Sequence, residues 1–280
     1  MSEIFRSSDK FVTGNSDSSV TLFDGVKPLK TKRLNSDREN KYDVKLDYNN
    51  GQIVVAEDCG KVKVLNENLE SVKQFDGTID TVQSTFVNET HLVIGDRDGC
   101  VSYYTKNCAK PKVSLCINFL EFEFIFQTYK HNGCVTSVQI NENLVISGSE
   151  DNTVQVWDMN ECKKLWELDH GDLVSDTILC DDRLITCCED ASVRVLDLKS
   201  GEQLHRLEHP SPCINADLSR SKSLLAVASE SAVVLWDFKN ATKIKEFALE
   251  PDVKDVRFNP SGDKLIVALE QGEVVKIEMN

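Results

Sequence analysis

The stretch LVISGSEDNTVQVWD, Leu144 to Asp158, decides the fold of this chain. Two apolar runs of five to six residues flank a polar turn, and an acidic residue closes the unit. Short Val- and Ile-rich runs around Asp and Asn turns predict a β-hairpin. The pattern recurs as FVTGNSDSSVTLFD (Phe11 to Asp24), IVVAEDCGKVKVLN (Ile53 to Asn66), LVIGDRDGCVSYYT (Leu92 to Thr105), LITCCEDASVRVLD (Leu184 to Asp197), LAVASESAVVLWD (Leu225 to Asp237) and LIVALEQGEVVKIE (Leu265 to Glu278). The seven copies end at 24, 66, 105, 158, 197, 237 and 278, so the steps are 42, 39, 53, 39, 40 and 41. Strand content at such a period marks a repeat architecture that acts by presenting a surface.

Each hairpin has further strands around it. A short strand precedes it, as in Val135 to Ile140, Val174 to Leu179, Ile214 to Leu218 and Val253 to Phe258. A more polar strand follows, as in KKLWEL (Lys163 to Leu168) and EQLHRL (Glu202 to Leu207). Four strands make one small antiparallel sheet. Such a sheet cannot bury both faces alone, so neighbours stack and the ring closes as a propeller. The repeats run through residues 1–280, which predicts a single domain.

Composition sets limits on function. The 280 residues carry a net charge of −14 and are 40% apolar, with six Pro. This balance argues against a nucleic-acid partner, because phosphate binding draws on clustered Lys and Arg. It suits a basic protein partner. No run approaches the roughly 20 apolar residues that span a bilayer, and MSEIFRSSDK has no apolar signal core. The expectation is a cytoplasmic or nuclear protein that does not enter a membrane. The ten cysteines form no CxxC pair and read as reduced, small apolar fillers. Cys187 and Cys188 are adjacent, so they would point to opposite faces of a strand.

The residues of the fourth repeat, His131 followed by SGSEDNTVQVWD, resemble the WD-repeat family. The resemblance implies an all-β, seven-bladed β-propeller. It also implies a hydrogen-bonded chain of His131, Ser147, Asp151 and Trp157. A buried indole N–H, a hydroxyl, an imidazole and a carboxylate can satisfy one another. By the same resemblance His170, Thr186 and Asp190 form the counterpart in blade five, where Leu196 stands for Trp. Blade six keeps His209 and Trp236, with Glu230 at the Asp position and Ala226 at the hydroxyl. Blade one offers Thr13, Asp17 and Phe23. Cys59 and Gln271 replace Asp in blades two and seven.

A Ser, a His and an Asp invite a catalytic-triad reading. The trio recurs in the next repeat, as a structural motif does, and no GxSxG elbow is present. His131, His170 and His209 lack metal-ligand spacing, and no phosphate-cradling glycine loop occurs. No cofactor, metal or catalytic residue is expected. Function is expected on the loops. The residue before each turn Asp faces the channel surface in the family. Those positions are Ser16, Asp58, Arg97, Glu150, Glu189, Ser229 and Glu270. Four are acidic, which suits a basic protein segment steered by charge.

Two irregularities stand out. The long step of 53 contains VSLCINFLEFEFIFQ, Val113 to Gln127, read as an insertion in the outer-strand region of blade three. It is either an apolar edge element or a translated intron, since Val-Ser and Phe-Gln can be encoded by splice-donor-like and splice-acceptor-like triplets. The last repeat ends at its third strand, so blade seven is expected to lack its outer strand. The reading is a non-catalytic scaffold or adaptor of an intracellular complex, of unspecified oligomeric state. The short inner turns INEN and CDDR also look similar to the propellers of F-box substrate receptors of ubiquitin ligases. That alternative requires an F-box segment outside this sequence and a basic pocket for phosphorylated degrons.

Overall fold

A computed structural model describes residues 4–7, 10–15, 19–24, 27–34, 44–49, 52–57, 62–66, 68–75, 82–87, 91–106, 122–161, 163–250, 252–259, 261–270 and 273–279. These residues form seven antiparallel sheets and no helix. Sheet one holds β1 (Ile4–Ser7), β2 (Lys10–Asn15), β3 (Ser19–Asp24) and β4 (Lys27–Arg33). Sheet two holds β5 (Val44–Asn49), β6 (Gln52–Glu57), β7 (Val62–Asn66) and β8 (Ser71–Phe75). Sheet three holds β9 (Val82–Val87), β10 (His91–Asp96), β11 (Cys100–Lys106) and β12 (Phe122–Lys130). Sheet four holds β13 (Val135–Asn141), β14 (Leu144–Ser149), β15 (Thr153–Asp158) and β16 (Lys163–Asp169). Sheet five holds β17 (Val174–Cys180), β18 (Arg183–Cys188), β19 (Ser192–Asp197) and β20 (Gln203–Glu208). Sheet six holds β21 (Asn215–Leu218), β22 (Leu224–Ser229), β23 (Ala232–Asp237) and β24 (Thr242–Ala248). Sheet seven holds β25 (Val253–Phe258), β26 (Lys264–Leu269) and β27 (Val274–Glu278), three strands among the described residues.

The first strand of each sheet touches the first strand of the next, and β25 touches β1. The sheets therefore close into a ring around a central channel, the arrangement of a β-propeller. The core lies between sheets. Val54, Val62 and Val64 of sheet two pack with Val82, Leu92 and Ile94 of sheet three. Ile146, Val154 and Val156 of sheet four pack with Val174, Leu184 and Leu196 of sheet five. Phe23 of sheet one packs on Ile266 and Ala268 of sheet seven, which closes the ring. Both faces of the middle strands are covered, so these strands are near-continuous apolar runs rather than alternating ones. Each buried Val, Leu or Ile contributes about 1.5–3 kcal/mol.

One strand position sets how closely the sheets approach. Gly14, Ala56, Gly95, Gly148, Cys187, Ala228 and Ala268 occupy it, and each pairs with a Val or with Val274 on the third strand. All seven are small. A Cβ on Gly95 would lie 2.4 Å from Val135 Cγ1 of the next sheet, and one on Gly148 2.8 Å from Val174 Cγ1. Side chains of the inner strands then stitch neighbours together. Ser84 Oγ donates to Val135 O at 3.1 Å, Thr136 Oγ1 to Val174 O at 2.5 Å, and Gln139 Nε2 to Thr177 O at 3.0 Å. Asp176 Oδ2 accepts from Ala216 N at 3.2 Å, and Asp217 Oδ2 accepts from Phe258 N at 2.6 Å.

Residues 122–127 of the segment read as an insertion belong to β12, the outer strand of sheet three. Val101 pairs with Tyr129 and Tyr103 with Ile125, so two residues of β11 span four of β12. Residues 122–125 pair with β11, and the surplus falls at the register shift between Ile125 and Tyr129. The rest of the segment, 113–121, lies outside the described residues.

Gly95→Ala is expected to destabilise the fold by about 1–3 kcal/mol, the usual range for overpacking, although Ala serves at the same position in three other sheets. The urea unfolding midpoint measures this. An unchanged midpoint would mean that sheet four moves freely away from sheet three.

Candidate functional site

In sheet four the turn between β14 and β15 and the loop before β13 are joined by side chains. His131 is buried, 1% exposed. Its Nε2 lies 2.8 Å from Ser147 Oγ, and its Nδ1 lies 3.0 Å from Asp151 Oδ2 and 3.1 Å from Thr153 Oγ1. Asp151 also accepts from Asn132 N at 2.8 Å, Thr153 N at 3.0 Å and Thr153 Oγ1 at 2.6 Å. Burial lowers the imidazole pKa below its ordinary value despite the Asp151 charge. The neutral ring thus donates Nδ1–H to the carboxylate and accepts from Ser147. Burial pushes Asp151 up, but hydrogen bonds from Thr153 and Asn132 hold it below the usual carboxylate range. Trp157 stands on β15 beside this chain. Its N–H makes no hydrogen bond to Ser147 among the described residues, and its ring lies 5.4 Å from the Lys164 ammonium.

Sheet five departs from the expected copy. Arg194 Nη2 sits 2.9 Å from Asp190 Oδ2 and donates to His170 O at 2.8 Å. Ser192 Oγ donates to Asp190 at 2.6 Å. Thr186 Oγ1 turns to Arg194 O at 3.5 Å, and among the described residues neither ring nitrogen of His170 has a hydrogen-bond partner. The cause is Arg194, 8% exposed, at the position that Gln155 holds in sheet four. A buried guanidinium needs a carboxylate, and it takes Asp190 from the histidine. Burial, then the Arg194 charge, lower His170 to about 4. Burial opposes ionisation of Asp190, yet hydrogen bonds from Ser192, Cys188 and Arg194 hold it at about 2. The signal in the sequence was the lone Arg inside SVRVLD.

Sheet six also needs correction. Its turn has only two residues, Glu230 and Ser231, so Ser229 is the last residue of β22. Ser229 is 0% exposed and donates to Ala232 O at 3.3 Å, so it is no rim residue; Glu230 takes the exposed position. The register likewise puts Val227, not Ala226, at the hydroxyl position. His209 Nδ1 instead donates to Ser211 O at 2.9 Å.

Backbone bonds assign the turns to two faces. Glu150 N bonds Cys134 O, Glu189 N bonds Leu173 O, Val253 N bonds Glu230 O and Glu270 N bonds Asp252 O. These turns share one end of the channel. Arg97, Glu150, Glu189, Glu230 and Glu270 are exposed there, with Asp172, Glu250 and Asp252. Sheets four to seven thus form an acidic arc, and Glu270 has a cationic neighbour, Lys254, at 3.5 Å. Ser16 and Asp58 lie outside the described residues. At the other end Met159 N bonds Asn143 O, Leu198 N bonds Asp182 O and Phe238 N bonds Ser223 O. That face mixes exposed Lys199, Arg220, Lys222 and Lys239 with Glu142, Asp181 and Asp182.

The channel between the faces has a volume of about 440 Å³. Asp176, Asn215, Asp217, Asp255 and Arg257 line it. Asp255 pairs with Arg257 at 2.9 Å and accepts from the Asn215 amide. Burial raises Asp176 to about 6. These groups are marked in the sequence by the polar interruption of the inner strands, as in VSDTIL and VKDVRF.

The two histidines separate by experiment. His131→Leu is expected to cost roughly 1–3 kcal/mol at pH 7, because it orphans buried partners. His170→Leu removes no side-chain hydrogen bond and is expected to leave the melting temperature nearly unchanged. Burial holds both imidazoles below their ordinary pKa, His170 down to about 4. The fold keeps His170 neutral, so its contribution is full above the unfolded pKa of 6.5 and decays as pH falls toward about 4. At one pKa unit per 1.36 kcal/mol, the loss approaches roughly 3 kcal/mol. His170→Leu should flatten the stability profile between pH 6.5 and 4.5, read by thermal melts. An unaltered slope would remove His170 as the acid-sensitive group.

Residues 122–158 match the family described as WD domain, G-beta repeat. A stretch of 131 residues, 45% of this chain, is 25% identical to WD repeat-containing protein 55 homolog of Dictyostelium discoideum and covers 32% of that protein. A stretch of 83 residues, 29% of this chain, is 28% identical to Cross-pathway control WD-repeat protein 2 of Flammulina velutipes and covers 26% of it. The chain thus matches about a third or less of the length of each relative. The chain is thus similar to WD-repeat proteins in one matched repeat and in these two stretches, on a ring of small antiparallel sheets.

Proposed function

We propose that this chain is a non-catalytic interaction scaffold that docks a basic segment of a partner protein on its acidic face. The observation that carries the reading is the asymmetry of charge. Glu150, Glu189, Glu230 and Glu270 ring one mouth of the channel, while the opposite face is mixed. Such a field raises the encounter rate with cations and rejects anions. A phosphodegron receptor would need a cationic cluster there, and Arg97 alone among the five described rim positions is basic. Cys100, Cys180, Cys187, Cys188 and Cys213 are free thiols, which suits a reducing compartment such as the cytoplasm or nucleus.

The test uses the chain with Glu150, Glu189, Glu230 and Glu270 all changed to Lys. Association with an octalysine peptide should slow by about tenfold or more at low salt. The difference should shrink at high salt, because charges beyond a Debye length of about 8 Å are screened. Stability should change by only about 0.5 kcal/mol per site. Equal association rates for the two proteins would remove this face as the docking surface.

A further inference from the structure

The inner strands carry a bulge just inside the acidic mouth. The register skips Gln83 in β9, Thr136 in β13, Ser175 in β17 and Lys254 in β25. Each skipped residue lines the channel. Bulges of this kind re-aim a side chain. Here they place a ring of polar groups at the entrance.

The charges of this ring are unevenly answered. Lys254 faces Glu270, and Arg257 faces Asp255. Among the described residues Asp176 accepts from two backbone N–H groups alone, Thr177 at 2.7 Å and Ala216 at 3.2 Å. No cationic side chain lies within ion-pair distance of it among the described residues. Ser175 Oγ beside it and Asn215 Oδ1 on the neighbouring strand are closed to bulk solvent and have no hydrogen-bond partner among the described residues. Asn215 occupies in β21 the register position that Asp176 occupies in β17. Ser175 Oγ and Asn215 Oδ1 therefore keep acceptor capacity beside a carboxylate that only backbone N–H groups touch and that Arg257 reaches only at longer range.

We propose that the channel mouth at Ser175, Asp176 and Asn215 is a pocket for a single primary ammonium, the side chain of one lysine in the docked basic segment. The inference rests on the acidic face being the docking surface. An ammonium presents three donors on a narrow stem. A hydroxyl, a carboxylate and an amide oxygen on two adjacent strands offer three acceptors. The rim carboxylates gather the segment by long-range charge, and the pocket holds one residue of it. The pocket thus governs the rate of release, whereas the rim governs the rate of encounter.

The probe is Nα-acetyl-lysine N-methylamide, too small to bridge the rim, titrated by heteronuclear NMR or calorimetry. It should bind the wild-type chain, while the norleucine analogue, which lacks the ammonium, should not. Ser175→Leu fills the mouth from the bulge, and Asp176→Asn removes the charge. Each should weaken the probe at least about tenfold, with folding verified by the melting curve. The rim variant should bind this probe within about threefold of wild type, so the two readings fail separately. Absence of binding to the wild-type chain, equal binding of norleucine, or full affinity in both channel variants would overturn the pocket. Octalysine should outcompete spermidine; the reverse order would assign the pocket to a free amine and overturn the lysine assignment.

Discussion

The closeness of one sheet to the next is the constraint on which the rest of the molecule depends. Every sheet is too small to bury its own faces. Stability comes from the seams, where the second strand of one sheet meets the first strand of its neighbour. Gly95 lies so near Val135 that no Cβ fits, and Gly148 stands in the same relation to Val174. The hydrogen bonds from Ser84, Thr136 and Gln139 to the neighbouring backbone have reachable partners because of that approach. The channel, the position of each loop and the spacing of the rim carboxylates follow from the same separation.

Within that frame the repeats are not equivalent. His131 and His170 begin corresponding loops, yet one is bound to its carboxylate and the other is not. The difference is Arg194. A buried cation forms an ion pair with the nearest carboxylate before a neutral imidazole can compete, because an unpaired charge in the interior costs far more than an unpaired ring nitrogen. In sheet six Val227 stands where Ser147 stands in sheet four, and His209 turns to a backbone carbonyl. Similar letters therefore support the same turn with different bonds.

The polar groups fall into two classes by location. At the turns, carboxylates such as Glu150 and Glu189 face water, where they act at a distance. In the channel, Asp176 is removed from water and receives only backbone N–H groups. The first class shapes a field and the second shapes a pocket. Both are delivered by the same strand-and-turn unit, which brings a turn and the start of an inner strand to one mouth.

The sequence by itself determined the repeat unit, the strand order and the turn positions, because these rest on local patterning and on a period that no other architecture explains as simply. The hairpin of Leu144 to Asp158 was legible to the residue. The row of small residues from Gly14 to Ala268 was also present in the sequence, but its meaning needed the neighbouring strand. Tertiary structure alone decided that Asp190 pairs with Arg194 rather than His170. It also decided that Ser229 is interior and Glu230 exposed, and that residues 122–125 pair with β11. The physical reason is common to all three. Each depends on which group lies closest across a seam or a turn in space, and a linear pattern states periodicity but not distance.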